Sequence, residues 1–353
     1  MNADGPLVGI DAQLTLGTAT GIGEYVRGLA DALDATGARV VRLCEPRLDP
    51  WRFDRRVAWD QAVLPRAAAR AKVDVLHCAA GTLPLASPVP VVATVHDVAW
   101  LRVQAHARPY ARWYFGRFQL ARYRRAAAIF VDSFFSRDEL LAVAPELGAA
   151  RVAVLYPGVA SDLMAVVRRP PEAPTMLAVG TVEVRKNLGV LVEALPALPG
   201  VRLVAIGPPT PYRDVVLARA TELGVADRIE LRGYVTREAL LEAYATATVA
   251  AVPSRYEGFG YGVAQALCAG VPLVAADAAS LPEIAAGAAP LVAPDDRAGW
   301  IDALRAIVAN REAAENAAAI GRVVARERFG WAVGAALART TYARVADGPI
   351  DGT

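Results

Sequence analysis

The chain has 353 residues, long for a single hydrophobic core, and its 55% hydrophobic content supplies enough apolar surface for two. A net charge of +2 is close to neutral and excludes a dedicated nucleic-acid binder with a strongly basic domain. Cys44, Cys78 and Cys268 are scattered, without metal-ligand spacing or a disulfide framework, which fits a reducing compartment and the expectation of a cytoplasmic protein.

The start, MNADGPLVGIDAQ, lacks a basic region followed by an apolar run, so no secretion signal is expected. No stretch reaches about 18 uninterrupted apolar residues, so no transmembrane helix is expected either. Along the chain, VGIDA (8–12) predicts a buried strand. A Gly/Thr loop follows, then a helix over 23–35 with Tyr25, Leu29 and Leu33 at helical spacing. ARVVRLC (38–44), VDVLHC (73–78) and VPVVATVHD (89–97) predict strands, residues 110–126 a helix, and AAIFVDS (127–133) another strand. In SRDELLAVA, Ser136 and Glu139 have the spacing of a capping box. ARVAVLYPGV (150–159) closes the first half.

RRPPEAP (168–174) is the most proline-dense stretch and predicts a stiff connector between domains. Beyond it, TMLAVGT, VRLVAIG, RIELRGYV, ATVAAVPS, VPLVAAD and PLVAP are six strand candidates separated by helical segments. Continuous apolar strands alternating with helices indicate parallel sheets covered on both faces. The fold class is therefore α/β, with two doubly wound Rossmann-like halves and ligand expected at the C-terminal ends of strands. Residues 330–345 predict a closing helix, and 346–353 a frayed polar tail.

Four stretches carry candidate chemistry. In GTATGIGEY (17–25), glycines between a strand and a helix suit either an anion at the helix start or an ordinary turn. Val26 breaks the dinucleotide spacing. In TVHDVAW (94–100), His96 ends an apolar strand on the ligand side, as a catalytic or a structural histidine; His77 also ends a strand, and His106 lies in a basic loop. In AVGTVEVRKNLGVLVEAL (178–195), Arg185 and Lys186 sit together before a helix, either as surface charge or holding a diphosphate; Lys186 and Lys72 are the only lysines. In SRYEGFGYGVAQALCAGVP (254–272), Glu257 precedes a glycine loop that opens a helix over 261–269. That loop suits phosphate, Glu257 suits sugar hydroxyls, and Gln265 lies on roughly the same face within reach of a ribose. A glycine turn with a solvated acid is the plainer alternative.

These motifs, in order, resemble those of the large retaining glycosyltransferase family 4, of GT-B fold, which includes phosphatidylinositol mannosyltransferases and sucrose synthases. The resemblance runs over nearly the whole chain. It is carried by IDAQL…TGIGEYVRGL, TVHDVAW, VDSFFSRDEL, GTVEVRKNLGVLVEAL and the run from RIELRGYV through SRYEGFGYGVAQALCAGVP to SLPEIA. It implies an N-terminal acceptor-side domain over 1–168, a linker at 169–174, a nucleotide-sugar-binding domain over 175–329 and a helix over 330–353 crossing back, with a central cleft between the domains.

By the same resemblance, Gly21 and Gly23 would lie near the donor phosphate or acceptor, and His96 near the donor sugar. Arg185 and Lys186 would bind the diphosphate, and Gly233, Tyr234 and Val235 would line the base pocket. Glu257 would hold sugar hydroxyls, the loop Gly258, Phe259, Gly260 and Tyr261 would bind sugar and phosphate, and Gln265 would contact ribose. Two positions depart from the family pattern: Gln265 stands where the second acid is usual, and Thr181 where an arginine often follows the loop glycine. An amide still hydrogen-bonds a diol but loses the charge-assisted part.

The implied activity is transfer of a hexose from a nucleotide sugar to a saccharide hydroxyl with retained configuration. GDP-mannose is the favoured donor and a UDP-hexose, with a lipid-linked or small-molecule acceptor, the alternative. No permanently bound cofactor and no metal are expected. A sugar-nucleotide epimerase and a catalytically silent nucleotide-sugar binder are the competing classes. The Arg- and aromatic-rich stretch 102–125 reads as a membrane-surface helix at the inner membrane face, as a saccharide platform, or as a helix packing its aromatics inward. Oligomeric state is open.

Overall fold

The computed structural model describes residues 5–17, 21–103 and 109–348. The chain divides into two units: one runs to Gly158 and resumes at Gly330, and the other is Val159–Phe329. His106, part of the 17–25 loop and the end of the tail lie outside the described residues.

The first unit holds β1 (Val8–Asp11), β2 (Val40–Leu43), β3 (Val75–Cys78), β4 (Val91–Val95), β5 (Ala128–Val131) and β6 (Val152–Val154). They form one parallel sheet in the order β2-β1-β3-β4-β5-β6. The connection from β2 crosses back over β1 to β3, so the order reverses at β1/β3, where an α/β sheet opens its ligand crevice. Both faces are covered. Trp59, Leu64 and Leu76 anchor one core, and Tyr25, Leu29, Phe130 and Tyr342 the other.

The second unit holds β7 (Thr175–Val179), β8 (Arg202–Ile206), β9 (Ile229–Leu231), β10 (Val249–Val252), β11 (Leu273–Ala276) and β12 (Leu291–Val292). Their parallel order is β12-β11-β10-β7-β8-β9, which puts the reversal at β7/β10. β10 and β11 are buried along their full length, as all-apolar VAAV and LVAA require.

The structure moves the division between units from 169–174 to Gly158/Val159. The proline-dense segment is not a free connector. Arg168 pairs with Glu315 at 2.6 Å and donates to the carbonyls of Tyr244 and Ala247, while Arg311 donates to those of Pro171 and Glu172. These bonds attach the segment to the second unit. The last helix, Trp331–Asp347, packs on the helix Gly21–Ala35 in the first unit. Two glycines make room for Trp331: a Cβ on Gly28 or Gly158 would stand 2.2 or 2.4 Å from its ring.

Two local expectations change. The helix Phe134–Val143 is capped by Ser133, which accepts the Ser136 N–H at 2.9 Å, so the cap lies three residues before Ser136. Ser136 instead donates its hydroxyl to the His96 carbonyl, and Glu139 pairs with Arg102. The helix expected over 110–126 runs without a gap from Pro109 to Tyr123, but a π-turn, Trp113–Phe118, is set between Pro109–Arg112 and Gln119–Tyr123. Its aromatics largely pack on one another: Tyr114 stacks on Phe118 at 5.3 Å and Phe115 on Trp100 at 5.1 Å, leaving Trp113 and Tyr110 exposed.

Candidate functional site

In the second unit the candidate residues gather at the C-terminal ends of β7 and β10, the reversal point of the sheet. β7 runs into a 3-10 turn, Val184–Lys186, and β10 into the loop that carries Glu257. The main chain ties the two loops together, with Arg255 N–H donating to the Arg185 carbonyl at 2.9 Å. Glu257 is 7% exposed, so its carboxylate needs partners. Lys186 Nζ donates to Oε1 at 2.5 Å and Arg185 Nη1 to Oε2 at 3.1 Å. Arg185 Nη1 also donates to the Tyr256 carbonyl at 2.7 Å, and its Nη2 to Glu183 at 2.7 Å. Burial alone would raise the Glu257 carboxyl, but the Lys186 and Arg185 charges and the Ser254 hydroxyl outweigh it and hold it below the ordinary carboxylate value.

The spacing thus brings Arg185, Lys186 and Glu257 into one cluster, with a difference from the open cationic cradle that Arg185 and Lys186 alone suggest. Arg185 and Lys186 face Glu183 and Glu257, so the formal charges cancel. An incoming anion is met by cations already fixed in place. An ammonium carries three donors, so Lys186 can keep Glu257 while reaching a second acceptor.

The glycine loop follows Glu257 directly and opens a helix. Gly260 caps the helix Tyr261–Ala269 with φ +92°, a left-handed geometry that L side chains rarely adopt, and a Cβ there would stand 2.5 Å from Leu281 Cδ2. Gly258 and Phe259 are buried, and Phe259 meets Tyr261 edge-on at 5.3 Å. Ser280, fully buried, donates its hydroxyl to the Glu257 carbonyl at 3.0 Å. Gly233 lies beyond β9 and accepts the Gly207 N–H at 2.9 Å; Tyr234 beside it is 50% exposed and Val235 half-buried.

Gln265 points into the core. It is 6% exposed, and its Oε1 accepts the Tyr244 hydroxyl at 3.0 Å. A neutral side chain suits that setting, because an unpaired carboxylate in an apolar core is costly. Glu183, Ser254, Ser280 and Tyr244 were not singled out in the sequence. Glu183 has a visible signal, as an acid two residues before Arg185.

In the first unit, Gly21 and Gly23 lie in the first turn of the helix Gly21–Ala35. His96 ties three strand ends together. Its Nδ1 faces Asp132 at 2.8 Å beyond β5, and its Nε2 faces the Ala79 carbonyl at 2.9 Å beyond β3. Burial lowers the imidazole pKa, but Asp132 and the carbonyl outweigh it, so the value rises. His77 behaves oppositely. Fully buried, it meets Thr94 Oγ1 through Nε2 and the Tyr342 hydroxyl through Nδ1, each at 2.8 Å. Burial, then the neighbouring His96, pushes its pKa down to about 3.

A depressed histidine keeps the fold neutral while the unfolded chain takes up a proton. Its stability contribution is therefore present above about pH 6.5 and lost as pH falls toward about 3. His77→Gln keeps polar contacts and removes that titration. The melting temperature of the variant is expected to fall less than that of the parent between about pH 7 and about pH 5. Parallel falls would refute this assignment.

Among the described residues no group of three or more His, Cys, Asp and Glu side chains could hold a metal. No described helix is long and apolar enough to cross a membrane.

Comparison with known proteins places the chain among glycosyltransferase domains. Residues 19–163 match the family model described as Glycosyltransferase Family 4, and 173–310 the model described as Glycosyl transferases group 1. A D-inositol 3-phosphate glycosyltransferase from Xylanimonas cellulosilytica is 37% identical over 182 residues, 50% of this chain and 43% of that protein. One from Mycobacteroides abscessus is 30% identical over 280 residues, 72% and 61% of the two chains. The matched stretches span about half the length of these curated relatives. Sucrose-phosphate synthase from Thermosynechococcus elongatus superposes with TM-score 0.75 at 21% identity, over 96% of this chain and 98% of that one. Anabaena HepE, solved in complex with UDP-glucose, superposes with TM-score 0.72 at 15% identity, over 95% and 98%. The chain thus has the GT-B fold, built from glycosyltransferase domains of the group 1 and family 4 kind.

Proposed function

We propose that the chain is a glycosyltransferase that moves a hexose from a nucleotide sugar onto an acceptor hydroxyl. The observation that carries this reading is the buried Glu257 held by Lys186 and Arg185 beside the Gly260 helix start, at the reversal point of the second sheet. In this reading the bond between the sugar carbon and the diphosphate oxygen breaks, and its electron pair leaves with the nucleoside diphosphate. Lys186, Arg185 and the main-chain N–H groups near Tyr261 stabilise that charge. Glu257 orients the sugar hydroxyls, and Gly233, Tyr234 and Val235 receive the base. The acceptor oxygen bonds to the sugar carbon on the face the diphosphate left, with retention, and its proton passes to a phosphate oxygen.

The buried Gln265–Tyr244 pair assigns position 265 a share in fixing the helix, so a ribose contact there is secondary. For the donor, the UDP-glucose complex of HepE supports testing UDP-hexoses alongside GDP-mannose. For the acceptor, the names of the relatives support an inositol phosphate hydroxyl. The test is to incubate the chain with UDP-glucose, other UDP-hexoses or GDP-mannose, each with and without an inositol phosphate. Nucleoside diphosphate release and the product anomer are followed by NMR. Transfer from UDP-hexoses alone removes the mannose reading, and no release or transfer from any donor removes the whole proposal.

A further inference from the structure

On the first unit, a cavity of about 870 Å³ opens at the edge of the sheet opposite the strand ends that carry Asp11, Ala79, His96 and Asp132. Its wall is made where β4, β5 and β6 begin: Val91 opens β4, Ala126 and Ala127 precede β5, and Arg151 precedes β6. Arg344 and Gly348, at the end of the last helix, complete the rim.

Five arginines line this cavity, namely Arg122, Arg124, Arg125, Arg151 and Arg344, and no carboxylate among the described residues does. Among the described residues only Arg124 has an ion pair, with Glu146 at 2.6 Å. Two of the others are fixed by main-chain carbonyls, which hold a guanidinium in place without neutralising it. Arg122 Nη2 donates to Pro84 at 3.0 Å and also to Leu85, and Arg151 Nη1 donates to Arg124 at 2.9 Å. Arg122 Nε is buried without a hydrogen-bond partner. Burial, then the like charge of Arg125, pulls the Arg122 pKa below its ordinary value. The remaining wall is apolar, from Leu83, Leu85, Val89 and Pro90, with Leu85 54% exposed at the mouth.

Like charges crowded in a recess repel unless an anion lies between them, and guanidinium groups match phosphate oxygens in pairs. The volume is that of a small-molecule site. We propose that this cavity binds a phosphorylated ligand, a phosphate or diphosphate ester whose sugar ring or apolar body rests on the Leu85 wall, at a site separate from the one at β7 and β10.

The test is calorimetric titration of the full chain with glucose 6-phosphate and with inorganic diphosphate. Flotation with phosphatidylcholine vesicles, with and without phosphatidic acid, runs in parallel. The parent is compared with the double variant Arg125→Glu/Arg344→Glu, at two exposed positions, and with Lys186→Ala. The expected result is saturable binding that weakens about tenfold or more in the double variant and persists in Lys186→Ala. Binding of the soluble probes marks a free ligand. Flotation with phosphatidic acid alone, lost in the double variant, marks a lipid headgroup and supports the same chemistry. The proposal is overturned by no binding in either format, by binding that the double variant leaves unchanged, or by binding that only Lys186→Ala removes. Sugar transfer by the double variant is expected at the parent's rate, so failure here and failure of the transferase reading are separable.

Discussion

Lys186→Ala is expected to lower sugar transfer by about 100-fold or more while the fold survives, the size of effect seen when one donor to a developing charge is removed. The side chain reaches Glu257 from a 3-10 turn whose cap, Asn187, is buried and donates to the Pro294 carbonyl at 2.7 Å, so the ammonium is positioned before any ligand arrives. Its loss removes a fixed cation but leaves Glu257 paired with Arg185, so the carboxylate is not stranded. Glu257→Ala removes the carboxylate facing both Arg185 and Lys186, and is expected to cost stability as well as rate. The check is steady-state transfer with circular dichroism and thermal melting on the same preparations. Transfer by Lys186→Ala within about threefold of the parent would exclude Lys186 from the chemistry.

Arg56→Met is expected to destabilise the first unit by about 3–5 kcal/mol, the usual cost of removing one partner from a buried ion cluster. Arg56 is 4% exposed and lies between two fully buried carboxylates, Asp11 at 3.1 Å and Asp60 at 2.8 Å. Trp59 Nε1 donates to Asp11 at 2.9 Å, and Tyr114 and Thr82 donate to Asp60, each at 2.9 Å, so the carboxylates stay where the arginine left them. Burial, opposed by Arg56 and reinforced by Asp11, pushes the Asp60 carboxyl up to about 6.

A carboxyl raised in the fold takes up its proton there before the unfolded chain does. Its stabilising contribution is present below about 3.8 and lost as pH rises through about 6. The deficit of Arg56→Met should therefore be larger near pH 8 than near pH 5, because at about pH 5 the Asp60 proton relieves the exposed repulsion. Urea unfolding of parent and variant at the two pH values reads this directly. A deficit below about 1 kcal/mol at both would show that the cluster contributes no more than a surface pair.

The fold was legible because most strands are short, mainly apolar runs. VAAV and LVAA have nowhere to go but the middle of a covered sheet. The division between units was not legible. RRPPEAP has the composition of a connector, yet Arg168 fastens it to Tyr244, Ala247 and Glu315, while the passage at Gly158 carries no compositional mark. In the candidate site, Lys186 and Glu257 could be read from their positions after apolar strands. The charge balance with Glu183 needed side-chain directions that spacing does not fix. The Asp11–Arg56–Asp60 cluster was missed because its members lie up to 49 positions apart, counting from 11 to 60, and only Asp11, an acid ending an apolar strand, hinted at a buried partner. Gln265 was read as facing ligand from its helical phase, and its hydrogen bond from Tyr244 is a partner that phase alone does not reveal.

The return of the chain to the first unit after Phe329 has a consequence for synthesis. Tyr342, bonded to His77, and Ala338 sit in the core of a unit whose other residues are made first. Emerging from the ribosome, the opening 158 residues lack one wall of their own interior, whereas 159–329 carry theirs complete. The half made second is therefore expected to become protease-resistant first. The half made first stays cleavable until its last seventeen-residue helix clears the exit tunnel. Limited proteolysis of stalled nascent chains, released at lengths just short of Trp331 and just past Asp347, would record that inversion, and equal early resistance of both halves would rule it out.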